Sequence, residues 1–315
     1  MNIHTISPIG SIVIPAHNEA SVINGCLEEL LSDFKPEELE VVVACNGCSD
    51  DTAEIVKKEW PSVKVIEMTK PSKSAALREA DKILTCFPRI YLDADVTLPS
   101  KSARQLFECL QTGALASRPQ YEYDISRSDR FVKSYYRSLA RLQARTNSLW
   151  GGVYGLSEEG RNRFTEFPNL IADDLFADHW FDPREIVILR VEKPAVVTVQ
   201  RRLRDLYRVA LRRRKGNVEI LEYRKTAQST TTSTLHHLLV AGATNPRTAL
   251  DAIFYFSFAI AVRCSVHIRA PKKWTRDESS RRTNYERSLV SGGQLTAEAK
   301  QKVLDGYRER NGSEY

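Results

Sequence analysis

Two aspartates, Asp93 and Asp95, follow directly on the apolar run Arg-Ile-Tyr-Leu at 89–92. Carboxylates so spaced at a strand end can hold a hard divalent cation, with water and phosphate oxygens completing its shell. Aspartate is also a common turn or capping residue just after a strand, which is the plainer reading. A second acidic pair, Asp173-Asp174, comes 80 residues later in the segment Leu170–Phe181. A hydroxyl is a poor nucleophile until a positioned carboxylate takes its proton, and an acidic pair can supply one. The same two residues could equally cap a helix and complement its dipole. Three further polar clusters stand upstream: Pro15–Glu19 (PAHNE), Asn46–Thr52 (NGCSDDT) and Lys73 within KPSKSAA. The Lys73 ammonium suits a phosphate, and an ordinary solvated lysine is the alternative.

Alternating strands and helices must position these groups. Ser11–Pro15, Glu40–Ala44, Val63–Glu67 and Arg89–Leu92 read as strands. Between them the spacing predicts helices over Glu19–Leu31, from Ser49-Asp50-Asp51 to about Trp60, and over Ser72–Leu84. Such alternation calls for a parallel sheet wound with helices, an α/β fold. Its ligands bind beyond the carboxyl ends of the strands, where all the clusters above fall. Past Pro99 the spacing predicts a helix over Ser102–Leu110, a strand over Gly113–Arg118 and a basic amphipathic helix over Arg127–Arg145. Trp150–Leu156 reads as a strand whose glycines admit a close approach to the backbone. Ile186–Arg190 and Ala195–Val199 read as a strand pair, and a charged tail from Pro271 carries a helix near Thr296–Arg308.

The ordered set Ser-Ile-Val-Ile-Pro-Ala-His-Asn-Glu, Val-Val-Val-Ala-Cys-Asn-Gly-Cys-Ser-Asp-Asp-Thr, Lys-Ser-Ala-Ala-Leu and Leu-Asp-Ala-Asp resembles the family 2 nucleotide-sugar glycosyltransferases over residues 9–100. It continues more loosely through Gly151–Tyr154 and Ala172–Asp174 to residue 216. The resemblance implies a GT-A fold: a Rossmann-like, mostly parallel sheet flanked by helices. It divides the chain into a transferase domain at 1–225, nucleotide-binding over 1–100 and acceptor-binding over 101–225, and a helical extension at 226–315. It implies that Pro15, Ala16, His17 and Glu19 line the nucleoside pocket, that Asn46 reads the base edge, and that Lys73 lies near the nucleotide. Asp93, Ala94 and Asp95 would flank the ribose, with Asp93 and Asp95 on Mn²⁺ or Mg²⁺. Asp174 would be the general base and Asp173 an acceptor contact or cap, with Asp178 and His179 as nearby stand-ins. The implied reaction is a metal-dependent, inverting transfer of one sugar from a nucleoside-diphosphate sugar to an acceptor hydroxyl. The acceptor class stays open among small molecules, lipid-linked molecules and glycans. Gln200–Arg204 lacks the Gln-x-x-Arg-Trp signature of the family's processive members, which favours single addition.

The balance of 46 Lys and Arg against 40 Asp and Glu favours anionic partners without choosing among them. Ten of those cations crowd into Gln200–Lys225. There Arg201, Arg202 or Arg204 could close over a diphosphate, the segment could meet anionic lipid, or it could be a solvated, salt-bridged helix. Ala252–Val262 is apolar all round and too short to span a bilayer, so it reads as a buried helix or an interfacial or dimerising one. With no secretion-type leader and six cysteines in 315 residues, reduced thiols and a cytoplasmic location are expected, with peripheral membrane contact as an option. The rival readings are a nucleotidyltransferase, which ordinarily carries a glycine-rich basic loop after its first strand, and a non-catalytic basic module for membrane or nucleic acid. The acidic pairs speak against the latter, and no nucleic-acid partner is expected. Neither a P-loop nor a G-x-G-x-x-G fingerprint occurs.

Overall fold

A computed structural model of the chain describes residues 7–143, 147–149, 151–224 and 246–269. The helix expected near Thr296–Arg308 lies outside them. Four parallel strands, β1 (Gly10–Ala16), β2 (Leu39–Asn46), β3 (Lys64–Met68) and β4 (Arg89–Leu92), alternate with helices α1 (Ile23–Leu31), α2 (Thr52–Glu59) and α3 (Lys73–Ile83). The chain continues through β5 (Val96–Thr97), α4 (Ser100–Gln111), β6 (Ala116–Pro119), β7 (Tyr121–Asp124), α5 (Arg130–Gln143), β8 (Val153–Leu156) and α6 (Glu158–Arg161). It then forms α7 (Asp173–Asp178), β9 (Ile186–Leu189), β10 (Ala195–Thr198), α8 (Leu203–Arg224) and α9 (Pro246–Arg269).

Seven strands make one sheet in the order β3-β2-β1-β4-β8-β6-β9, with only β8 antiparallel to its neighbours. Strand order reverses direction between β1 and β4, which opens a crevice where open α/β sheets bind ligands. The central strands are apolar on both faces because both are covered. Ile12, Ile14, Val41, Val43, Ile90 and Leu92 pack with α1 and α4, while Val13, Val42, Ala44 and Tyr91 pack with α3 and α7. A three-stranded sheet, β5-β10-β7, stands beside the first. The two strands expected as a pair are therefore parted: β9 joins β6 in the large sheet, and β10 lies between β5 and β7. Each has its own partner edge, and Val196 and Val197 pair across to β5.

Helix ends follow local chemistry. Ser72 caps α3 by accepting from the Ala75 amide, as Ser/Thr/Asx caps do for about 1 kcal/mol. The first helix begins at Ile23 rather than at Glu19, because the Glu19 carbonyl takes the Val22 and Ile23 amides in a preceding turn and Asn18 is left-handed at φ 54°. The basic helix starts at Arg130 because Asp129 Oδ1 accepts from the Phe131 and Val132 amides. The other oxygen of Asp129 takes the Leu203 amide, so one carboxylate anchors the starts of α5 and α8. These two helices and α9 enclose a third core of Val132, Tyr136, Leu139, Leu206, Leu211, Phe258 and Val262. The apolar run expected to be short is part of a 24-residue helix, and its stretch Thr248–Ser265 is long and apolar enough to cross a membrane by length and composition.

Candidate functional site

The carboxyl ends of β1 and β4 and the first turns of α3 and α7 converge on one cleft. Pro15, Lys73, Asp93, Gly152, Asp173 and Asp174 line it, above a floor of Tyr91 and Tyr154. Lys73 is its hinge: Nζ lies 2.6 Å from Asp93 Oδ1 and 2.8 Å from Asp173 Oδ1. Two acidic pairs 80 residues apart in sequence thus meet through one ammonium. A lysine in the first turn of a helix opposes the helix dipole, and the carboxylates around it offset that cost. Burial pushes the Lys73 pKa down, but Asp173, Asp93 and Asp174 outweigh it and hold the group charged.

Carboxylate crowding shows in the acids. Burial and the Asp93 charge push Asp95 up to about 6, against the pull of Lys73 and Arg212. Burial pushes Asp173 up to about 6 as well, with Asp174 and Asp93 adding to it and Lys73 opposing. Asp174 is raised too, by burial first, while Lys73, the Leu175 amide and Arg213 draw it down. Asp173 is 5% exposed and pinned by Lys73, whereas Asp174 is only half-buried and accepts from the Leu175 amide.

The turn that presents the first pair is built tightly. The Asp93 carbonyl accepts from the Val96 amide, Ala94 is buried in the turn, and the Asp93 amide donates to the Gly152 carbonyl at 2.7 Å. Gly152 has φ +74°, and a Cβ there would stand 2.8 Å from Val96 and 3.1 Å from Asp93 Oδ2. Gly151, at φ +124°, presses on the Tyr121 ring. The close approach expected at these glycines is thus made by Asp93 and Tyr121, just ahead of β8.

Of the residues expected in a nucleoside pocket, Pro15 lines the cleft, whereas Ala16, His17, Glu19 and Asn46 are not among its lining residues. The Asn46 amide is turned inward, with Nδ2 donating to the Ala16 carbonyl and Oδ1 accepting from the Ser72 amide. Its side chain therefore ties β1, β2 and the start of α3 together instead of presenting an edge to a base. His17 Nδ1 donates to the Asn46 carbonyl at 2.6 Å, and the Glu19 amide donates to Thr52 Oγ1. Asp178 Oδ1 is used on the Leu149 amide, a structural tie.

Arg202 and Arg204 do not reach the cleft. Both are exposed at the start of α8, where the Arg202 carbonyl takes the Asp205 and Leu206 amides. The cations that face the acids come two turns later: Arg212 acts on Asp95 and Arg213 on Asp174. Arg212 and Lys215 also line a second hollow that meets the first at Lys73 and is walled by Ser72, Ser74 and Asn169. Helix α8 gets this close because Gly216 presents no side chain to Ile171 and Ala172, whose Cβ atoms would be 3.3 and 3.2 Å from an added Cβ. A lone glycine inside a helical run is the one signal that marked this approach in sequence.

The donor set suits a hard divalent cation. Asp93 and Asp95 offer carboxylate oxygens at one strand end, and such ions accept one or two carboxylates with phosphate and water oxygens filling the rest. Among the described residues no cluster of three or more acidic, His or Cys ligands occurs.

Residues 11–157 match the family model described as glycosyl transferase family 2. The chain is 28% identical over 192 residues to glycosyltransferase AglD of Haloferax volcanii, covering 56% of this chain and 30% of that protein. It is 37% identical over 109 residues to the succinoglycan biosynthesis protein ExoA of Rhizobium meliloti, covering 33% of each. The chain thus spans about a third of the length of these curated relatives. Among solved structures, its fold is similar to mannosyltransferase PcManGT of Pyrobaculum calidifontis in complex with GDP-Man and Mn²⁺ (TM-score 0.53, 17% identity, 96% of this chain and 81% of that one). It is also similar to glucosyl-3-phosphoglycerate synthase of Mycobacterium tuberculosis with Mn²⁺, UDP and glucosyl-3-phosphoglycerate (TM-score 0.51, 17% identity, 70% of this chain and 81% of that one).

Proposed function

From the match of residues 11–157 to the glycosyl transferase family 2 model and a fold similar to that of solved sugar transferases, we propose that this protein is a transferase that moves one sugar from a nucleoside-diphosphate sugar to an acceptor hydroxyl with inversion. The observation that carries this reading is the Lys73 bridge, which brings Asp93 of the first acidic pair and Asp173 of the second into one cleft.

Donor and acceptor then occupy opposite sides of that bridge. Asp93 and Asp95 would hold Mn²⁺ or Mg²⁺, which when bound supplies positive charge to the departing diphosphate. The two structural neighbours, each in complex with Mn²⁺, support that assignment. Lys73 and Arg212 add fixed positive charge on the same side, where water would otherwise have to reorganise. Asp174 takes the acceptor proton. It is the better base of the pair because Asp173 is committed to Lys73, and its raised pKa makes it a stronger base than a free aspartate. Asp173 holds Lys73 in place; the cap also expected of it is not made, since no side chain caps α7. The acceptor is a hydroxyl on a small molecule, a lipid-linked molecule or a glycan.

Thermal unfolding against a panel of nucleoside diphosphates, each with and without Mn²⁺, tests the reading. A ligand at a hundred times its Kd stabilises by about 2.7 kcal/mol, worth several degrees. One diphosphate should shift the melting temperature, and only with metal. If none does, the donor assignment fails.

A further inference from the structure

Helix α9 has two unlike faces. Asp251, Ala252, Phe258 and Val262 are buried against α5 and α8. Asp251, the only acidic residue of α9, is turned inward, where Ser134 and Arg137 donate to it at 2.7 Å. Leu250, Ile253 and Ile260 are 67, 62 and 59% exposed, and Ser257, Ala261 and Cys264 are exposed with them. Those positions repeat at helical spacing and make one stripe along the helix, with no carboxylate on it. Phe131 of α5, 38% exposed, stands at its edge with its ring 5.4 Å from Phe254 and the Arg130 guanidinium against its own face.

The surroundings of the stripe are cationic. Helices α5, α8 and α9 together hold fourteen Lys and Arg against four Asp and Glu, a surplus of ten, where the whole chain has a surplus of six. Arg214 and Arg263 lie within electrostatic reach of one another, a like-charge contact that an anionic surface would relieve.

The geometry points to an anionic lipid surface as the partner: we propose that α9 lies in the membrane interface, with Leu250, Ile253 and Ile260 in the headgroup–acyl boundary and Arg130 and Arg263 at the phosphates. A spanning helix would have to free its inward face and expose the Asp251 pair, whereas an interfacial helix leaves both packed. A second copy of the chain would bring the same surplus of cations against itself, which opposes a self-complementary contact. The inference stands apart from the transferase reading, since the stripe and its flanking Arg130 and Arg263 lie outside the cleft, although the cation surplus of α8 includes Arg212, Arg213 and Lys215.

Co-sedimentation of the full chain with vesicles tests it. The chain should pellet with vesicles of equal phosphatidylcholine and phosphatidylglycerol, less with phosphatidylcholine alone, and less as salt rises. Replacing both Ile253 and Ile260 by Asp should weaken partition by about tenfold or more, a loss of about 1.4 kcal/mol at least. Both positions face solvent, so the melting temperature should hold, and Ile253→Trp should strengthen binding. Failure of the native chain to pellet, or unchanged pelleting of the Asp variant, overturns the proposal. So does a dimer that the same variant converts to monomer, which would assign the stripe to a second copy. A metal-dependent shift with a nucleoside diphosphate remains readable in every case, so the two readings fail separately.

Discussion

At the scale of single residues, the cleft divides labour between two neighbouring aspartates that the sequence makes look equivalent. Asp173 is buried and held by Lys73, while Asp174 is half-buried with no such cation at hydrogen-bond distance among its described bonds. Asp174→Asn keeps size and its acceptor oxygen for the Leu175 amide, so donor-induced stabilisation should persist while kcat falls by about 10²–10⁴. Near-normal turnover would move the base to Asp173. The sign of the pH dependence follows from burial. Asp174 must be ionised to accept a proton and its pKa lies above the ordinary aspartate value of about 3.9, so kcat/KM should fall on the acid side with a midpoint above that value. The residual activity of Asp174→Asn should lack this limb, which a pH–rate comparison would read directly.

At the scale of elements, how much was legible depends on whether a neighbour was needed to decide. The strand Arg89–Leu92 and the helix expected over Ser72–Leu84 could be read from their own residues and fall as expected. The β9 and β10 pairing could not, since two short β-branched runs close in sequence suit a hairpin until other edges are available. Arg212 and Arg213 escaped for a similar reason. In a run of four cations on a helix, only the packing of Gly216 on Ile171 and Ala172 decides which face meets the acids. Polar cores were also hidden in sequence. Asp81 of α3 accepts from Arg89 of β4 at 2.6 Å, from Arg161 of α6 at 2.8 Å and from the Tyr91 hydroxyl at 2.9 Å, all largely buried. Asp81→Asn leaves two buried guanidiniums without a countercharge. It should cost about 3–5 kcal/mol and lower the melting temperature by roughly ten degrees. Arg89 joins the junction from the amino end of β4, and Tyr91 brings it only its hydroxyl while its side chain floors the cleft, so the folded variant should still respond to donor diphosphate. Loss of that response at low temperature would mean that the junction also sets the cleft.

At the scale of the whole molecule, charge is partitioned. The three-helix layer carries a surplus of ten cations against six for the whole chain, so the remaining residues are net acidic. Such a layer repels itself and needs internal countercharge, and Asp251 supplies it where α9 meets α5. Burial pushes the Asp251 pKa up, but the bonds from Arg137 and Ser134 and the nearby charge of Arg141 outweigh it and hold the carboxyl below its ordinary value. A carboxyl whose folded pKa is depressed contributes stability that is present above its unfolded pKa, about 3.9, and is lost as pH falls through the folded value. Native protein and Asp251→Asn should therefore differ most in melting temperature near neutral pH and converge below about pH 4. Acid effects elsewhere cancel in that difference, because both proteins share them. The guanidiniums are partly exposed, so salt should narrow the gap at neutral pH without moving the pH at which it closes. A gap that widens on acidification would show that the three helices are joined by apolar packing alone and that the buried carboxylate is a burden the layer merely tolerates.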